Sequence, residues 1–207
     1  MLVKAAPRPP LPTAGLPPAE TTTTIVIGSG FSGLAVAAEL NRQGIDTIVV
    51  DSFRSLGPSS PAPTTGGISL DALSERTDIL RLLEHYARRH ELDIRPATSP
   101  LELTHRTPDA PSEHQWTIHT TTGTLTAHSV VFTRGALNQL RRVLHSVGVN
   151  TSHELTTAMH SLGLYLVGVG DLVVPTTHEI LHQAKRAGAS ISARVAARNN
   201  ITVAIPA

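Results

Sequence analysis

The chain has 207 residues, 40% of them hydrophobic, and a formal net charge of +1, which suits one α/β domain with an ordinary core. Its 17 basic residues, of which only Lys4 and Lys185 are lysines, are scattered rather than gathered on one face, so nothing asks for a nucleic-acid partner. There is no cysteine, which excludes disulfides, thiolate metal sites, cysteine nucleophiles and dithiol redox pairs.

Residues 1–22 hold a proline cluster (Pro7, Pro9, Pro10, Pro12, Pro17, Pro18) and few large apolar side chains. They read as a disordered or polyproline-like tail, leaving 23–207 as the folded domain. Lys4, Arg8 and the prolines interrupt any apolar core a signal peptide would need. No run approaches transmembrane length, so a soluble, cytoplasmic protein without a membrane partner is expected.

From Thr24 the chain runs Ile25-Val26-Ile27-Gly28-Ser29-Gly30-Phe31-Ser32-Gly33. A β-branched strand entering G-x-G-x-x-G and opening a helix is the pattern of a dinucleotide-binding β-α-β unit. Gly28 would make the tight turn, Gly30 would let the backbone approach a pyrophosphate, and Gly33 would let the helix pack closely on the sheet. The helix, expected over 32–43 and ended by Gly44, points its free N–H groups and positive dipole end at that phosphate. A second strand closes at Asp51, 18 residues past Gly33, where an acid that binds a ribose hydroxyl belongs. An acid there favours an unphosphorylated 2′-hydroxyl.

Residues 52–67, rich in Ser, Pro and Gly, read as a loop, either ligand-covering or a plain surface connection. A helix follows over 73–92, with Leu73, Thr77, Leu80, Leu83, Tyr86 and Ala87 on one stripe, then a short strand over 93–98. Alternation over 116–120 and 124–128 around Thr121-Thr122-Gly123 signals a hairpin, and 129–133 a buried strand. Residues 138–147 read as helix, 162–169 as a last apolar strand, and 177–198 as a long C-terminal helix with small residues on one face.

This order of elements resembles the FAD-binding half of the two-dinucleotide-binding-domain flavoproteins, the group of the flavin-containing monooxygenases and thioredoxin-reductase-like enzymes. Gly28, Gly30 and Gly33 match the first glycine motif of that group and Asp51 its ribose acid. The stretch 78–98 with Tyr86-Ala87 and Leu92-Asp93-Ile94 is similar to a monooxygenase segment, as are Trp116 to Gly123 and Val130-Val131-Phe132-Thr133-Arg134-Gly135. Leu164-Tyr165-Leu166-Val167-Gly168-Val169-Gly170-Asp171 resembles the segment whose aspartate contacts the flavin's ribityl chain. The resemblance implies a single Rossmann-like FAD/NAD(P)-binding α/β domain, with a parallel sheet, helices on one side, a β-meander on the other and a C-terminal helix. It implies FAD as cofactor. With the glycine loop it yields the candidate cofactor-binding residues Gly28, Ser29, Gly30, Phe31, Ser32 and Gly33, Asp51 and Ser52, and Gly135, Gly170 and Asp171.

The chain also departs from that pattern. Where the family carries a whole second domain with a glycine motif for NADPH, residues 136–165 offer none. Gly57 is followed by Pro58, so the double glycine after the ribose acid is missing. Pro100 stands where a backbone N–H would meet the adenine, and proline has none to give. Without cysteine, the flavin-plus-cysteine-pair chemistry of the reductases is excluded. The expected function is that of a compact FAD-binding oxidoreductase-like protein, its electrons coming from a partner protein, a self-associated copy or an unidentified small-molecule substrate. A non-catalytic dinucleotide-binding module and a single-domain NAD-binding enzyme stand as alternatives, and no catalytic residue can be named.

One motif competes. His178-Glu179-Ile180-Leu181-His182 fits H-E-x-x-H, which on a helix would hold zinc with the glutamate as general base. No His, Asp, Glu or Cys follows between 183 and 207 to complete the ligand set, so these histidines are expected to be ordinary polar residues and no metal site is assigned.

Overall fold

The computed structural model describes residues 19–51, 70–106, 114–149, 155–170 and 175–203, with the backbone alone at 70–77 and 201–203. The candidate residues Ser52 and Asp171, the loop 52–67 and residues 1–18 of the tail lie outside the described residues. The expected boundary of the tail moves. Strand β1 is Glu20–Ile27, so residues 20–22, assigned to the tail, already pair with the sheet.

The repeated Thr and Ile/Val of β1 favour extended backbone because branching at Cβ is at ease on a pleated surface. Ile25, Val26 and Ile27 are all fully buried, as in a strand covered on both faces. Helix α1 (Phe31–Arg42) and β2 (Thr47–Val50) complete the first β-α-β unit. Helix α2 (Leu70–Arg89) and β3 (Asp93–Arg95) follow, each shorter at its C-terminal end than the expected 73–92 and 93–98. Strand β3 stops because Ala97 turns left-handed at φ 60°.

Strand β4 (Pro100–His105), which the sequence did not signal, pairs antiparallel with β5 (Trp116–Thr120). Strand β6 (Thr124–Thr133) then runs unbroken through two segments read separately, the hairpin arm 124–128 and the strand 129–133. Its burial explains both readings. The first half alternates and pairs antiparallel with β5, whereas residues 129–133 are buried on both faces. That second half pairs parallel with β7 (Leu164–Val167), on the same edge of β6, while β1 holds the other edge throughout. Among the described residues the result is a seven-stranded sheet whose parallel part runs β3-β2-β1-β6-β7 and whose meander β6-β5-β4 extends from it.

One face of the sheet is covered by α1, α2 and α5 (Thr177–Val203), the other by the meander together with α3 (Leu137–Ser146) and the short α4 (Leu155–Ser161). The expectation of helices on one side only is corrected accordingly. Leu140, Val143, Leu144 and Met159 from α3 and α4 join Ile25, Ile27 and Phe132 in one core. The opposite core sets Leu34, Val36 and Leu40 of α1 and Ala184, Ala187 and Ile191 of α5 against Val26, Val49 and Val131. Small residues let α1 and α5 approach closely: a Cβ at Gly188 would lie 2.8 Å from Glu39 Cγ. Among the described residues no helix is long and apolar enough to cross a membrane.

The meander is tied to the last helix by polar contacts. Gln115, 5% exposed, donates from Nε2 to the carbonyls of His128 (2.9 Å) and Leu162 (2.6 Å), and its Oε1 accepts from Arg194 (3.1 Å). The Trp116 indole donates to Leu162 O at 2.8 Å. His128 stacks on His114 with ring centroids 4.2 Å apart. Burial, reinforced by Arg198, His114 and Arg194, pushes the His128 imidazole down from 6.5 to about 4.

Two outcomes follow from this packing. Ile191→Ala removes a fully buried side chain that pins α5 to the sheet and should cost about 2–5 kcal/mol in urea unfolding. His128 binds its proton more weakly when folded, so stability should fall as pH drops from 6.5 toward about 4 because the unfolded chain takes up the proton first. Burial lowers His105, His114 and His160 in the same direction. Comparing urea midpoints at neutral and mildly acidic pH, His128→Gln should flatten this dependence.

Candidate functional site

The candidate site lies at the carboxyl ends of β1, β2, β6 and β7, where connections leave β1 toward β2 on one side and reach β6 on the other. That is the switch point at which open α/β sheets bind ligands. Three glycines there differ in what surrounds them. Gly28 has φ 122° and donates its N–H to Val50 O at 2.8 Å. A Cβ on it would collide with the hydroxyl of Thr133, which itself donates to Ile27 O at 3.0 Å. A Cβ on Gly33 would strike the carbonyl of Gly28. Both positions are closed by packing, which seats the first turn of α1 directly on the strand ends.

Gly30 is the opposite case: no atom lies within 4 Å of where its Cβ would be. It is the N-cap of α1, and no side chain caps the helix. The first turn therefore presents its backbone N–H groups to an open cradle, the arrangement that suits an anion. The Phe31 ring turns aside toward Tyr86, with centroids 6.3 Å apart, so Phe31 can serve a ligand through its backbone N–H. Ser32 is packed under β7: a Cβ on Gly168 would collide with its hydroxyl.

Asp51 closes β2 with both carboxylate oxygens engaged. Ser29 Oγ donates to Oδ1 at 2.7 Å and the Ala97 N–H donates to Oδ2 at 3.1 Å. Gly28 to Gly33 and Asp51 are thus brought together. Gly135 lies exposed in the 3-10 turn Arg134–Ala136 that continues β6, whose Ala136 is buried, and Gly170 lies exposed two residues past Gly168. Sequence reasoning missed three participants. Thr133 fills the space beside Gly28, Ala97 holds Asp51, and Gln183 of α5 accepts from Gly168 N at 2.7 Å and donates to Val169 O at 2.9 Å. Threonine at the end of a strand, alanine in a loop and glutamine in a helix carry no local pattern that marks such duties.

A hollow of about 310 Å³ at the other end of the sheet is bounded by Glu20, Asp46, Glu91 and Asp93. Glu20 and Asp93 there are paired with Arg95, and the hollow lies at the opposite end of the strands from the glycine turn, so its size does not make it the nucleotide site. The H-E-x-x-H segment forms the start of α5, where Glu179 accepts from the N–H (2.7 Å) and hydroxyl (2.9 Å) of Thr176. The Thr176 hydroxyl in turn accepts from Glu179 N at 3.3 Å. This is a reciprocal capping box, and these hydrogen bonds hold the Glu179 carboxyl below its usual range. The spacing Thr176-x-x-Glu179 is the pattern of such a box, a signal that sequence reasoning missed. Among the described residues no group of three or more His, Cys, Asp or Glu is placed to hold a metal.

Fold and site together define a Rossmann-like dinucleotide-binding domain with a mostly parallel sheet. Residues 21–93 match the family described as FAD binding domain, which supports FAD as the nucleotide, as the family resemblance implied. Among solved structures, HlmI superposes with a TM-score of 0.51 at 12% identity, over 88% of this chain and 95% of that one; this likeness concerns the fold. A bacillithiol disulfide reductase from Staphylococcus aureus matches at 17% identity and TM-score 0.38, over 55% of this chain and 38% of that one. A variant flavin monooxygenase from Stenotrophomonas maltophilia matches at 17% identity and TM-score 0.39, with the same 55% and 38% coverage. The matched part thus spans well under half the length of those two proteins. No curated protein matches the chain in sequence.

The contrast between the glycines gives a paired test. Gly33→Ala should destabilise the protein by about 1–3 kcal/mol in urea unfolding, as overpacking against backbone does. Gly30→Arg, in the absence of nucleotide, should leave the thermal midpoint unchanged.

Proposed function

We propose that this protein is an FAD-dependent oxidoreductase built on a single dinucleotide site. The observation that carries the reading is the open cradle at Gly30, between two glycines closed by packing and beside the carboxylate of Asp51. The N–H groups at the start of α1 would hold the pyrophosphate, with the helix dipole adding to the attraction. Asp51 would accept from a ribose hydroxyl, and its negative charge would turn away a 2′-phosphate. When bound, FAD supplies the electron-transfer chemistry, while the protein supplies position and electrostatics. The Gly168 to Gly170 turn, braced by Gln183, lies at the end of β7 where the rest of the cofactor would pass.

The absorption spectrum of purified protein and the identity of the nucleotide released on denaturation test this reading directly. A flavin spectrum, FAD in the supernatant and loss of both in Gly30→Arg are expected. Gly30→Arg binding FAD as tightly as the parent would place the site elsewhere.

Residues 136–165 contain no second glycine loop, and the described part of that span holds α3 and α4, which pack on the sheet, and the start of β7. Reduction by NADPH requires the donor to be held within reach of the flavin. The FAD-loaded chain should therefore be reduced slowly and without saturation when mixed anaerobically with NADPH, and turnover should depend on a partner protein, a second copy or a reducing substrate. Rapid, saturable bleaching by NADPH alone would reveal a donor site in this chain.

A further inference from the structure

Asp51 does not stand free. Its carboxylate is held on one oxygen by the Ala97 N–H, 3.1 Å away. Ala97 can aim its N–H there because its backbone is left-handed, at φ 60°, a conformation that alanine adopts only when its surroundings impose it. The surroundings are the tip of the β5–β6 hairpin. Thr121 Oγ1 donates to Ala97 O at 3.0 Å and accepts from Ser99 N at 3.1 Å, while Thr121 N donates to Ser99 O at 3.0 Å. One residue on, the Thr98 and Thr122 hydroxyls meet at 3.1 Å, and Thr98 O accepts from Asp51 N at 3.0 Å. The tip is itself stiffened by Thr120, whose hydroxyl donates to Gly123 O at 2.8 Å and accepts from Gly123 N at 3.1 Å. A continuous chain of hydrogen bonds thus runs from the meander, through the left-handed residue, to the carboxylate.

We infer that Thr121 is a positioning residue for recognition of the nucleotide's ribose: it locks residues 97–99 so that Ala97 fixes one oxygen of Asp51. The other oxygen, now bonded to Ser29, is left for a vicinal diol, which displaces the serine hydroxyl on binding. The inference rests on reading Asp51 as the ribose acid. Thr121 bonds to Ala97 and Ser99 and acts on Asp51 through Ala97. A carboxylate held by one oxygen keeps its acceptor direction, so the site selects an unphosphorylated ribose carrying its 2′-hydroxyl.

The experiment measures binding of ADP and of 2′-deoxy-ADP by calorimetry to the full chain and to Thr121→Val, Thr121→Ser and Asp51→Ala. Thr121→Val should bind ADP roughly fivefold more weakly, the loss of a hydrogen-bonded alignment, yet bind 2′-deoxy-ADP as the parent does. Thr121→Ser keeps the hydroxyl and should restore ADP binding. Unchanged ADP binding in Thr121→Val overturns the inference, and so does an equal loss for both probes, which would mark a general effect of the hairpin. If Asp51→Ala retains the parent's preference for ADP over 2′-deoxy-ADP, the ribose reading itself fails. Thermal melts of each variant identify any loss that comes from unfolding.

Discussion

The structure depends on the close approach of the Gly28 turn to the end of β6. Ile27 O accepts the Thr133 hydroxyl, and Thr133 occupies the volume a side chain at position 28 would need. This contact fixes β1 against β6 at the level where the chain turns into α1. Once the turn is fixed, the Gly28 carbonyl lies against Gly33, the helix starts directly over the strand ends, and its unpaired N–H groups face the space above Gly30. An anion site made of backbone alone needs this exactness of placement, because backbone groups cannot swing to meet a ligand as side chains can.

Around that turn the fold distributes its supports between two systems. The parallel strands and α1 supply the open cradle at Gly30, while the antiparallel meander supplies the second hand on Asp51 through the hairpin tip. Strand β6 joins the systems, since its first half belongs to the meander and its second half to the parallel sheet. The last helix closes the assembly at both ends: Gln183 braces the turn after β7 beside the site, and Arg194 grips Gln115 and the carbonyl of His160 at the far end. The arginines of this helix face a histidine stack that favours neutrality.

What could be read from sequence was local. The β-branched run, the three glycines, the helical spacing after them and the acid closing β2 lie within 28 residues, Thr24 to Asp51, and each has its own steric meaning. The hairpin was legible from alternation around Gly123. Strand β4 escaped because its register shifts between Pro100 and Glu102. The extra residue places Leu101 outside, 53% exposed, and Leu103 inside, so the strand's burial does not follow the alternation Leu101-Glu102-Leu103 of its sequence. Helix α4 escaped because only Met159 of its seven residues is buried. Thr133, Ala97 and Gln183 owe their roles to partners far along the chain, and no short window encodes such a meeting.

The pairing of β1 with β6 joins Glu20 to Leu125 and Ile27 to Phe132, positions separated by more than half the chain. The segment 21–93, which carries the family match, therefore lacks the neighbour that completes its own glycine turn. During synthesis β1, α1 and β2 leave the ribosome long before Thr133 does. Until then one edge of β1 has no strand beside it and the cradle has no wall behind Gly28. The cradle at Gly30 is consequently a late product of folding, completed only after the chain has been made through Thr133.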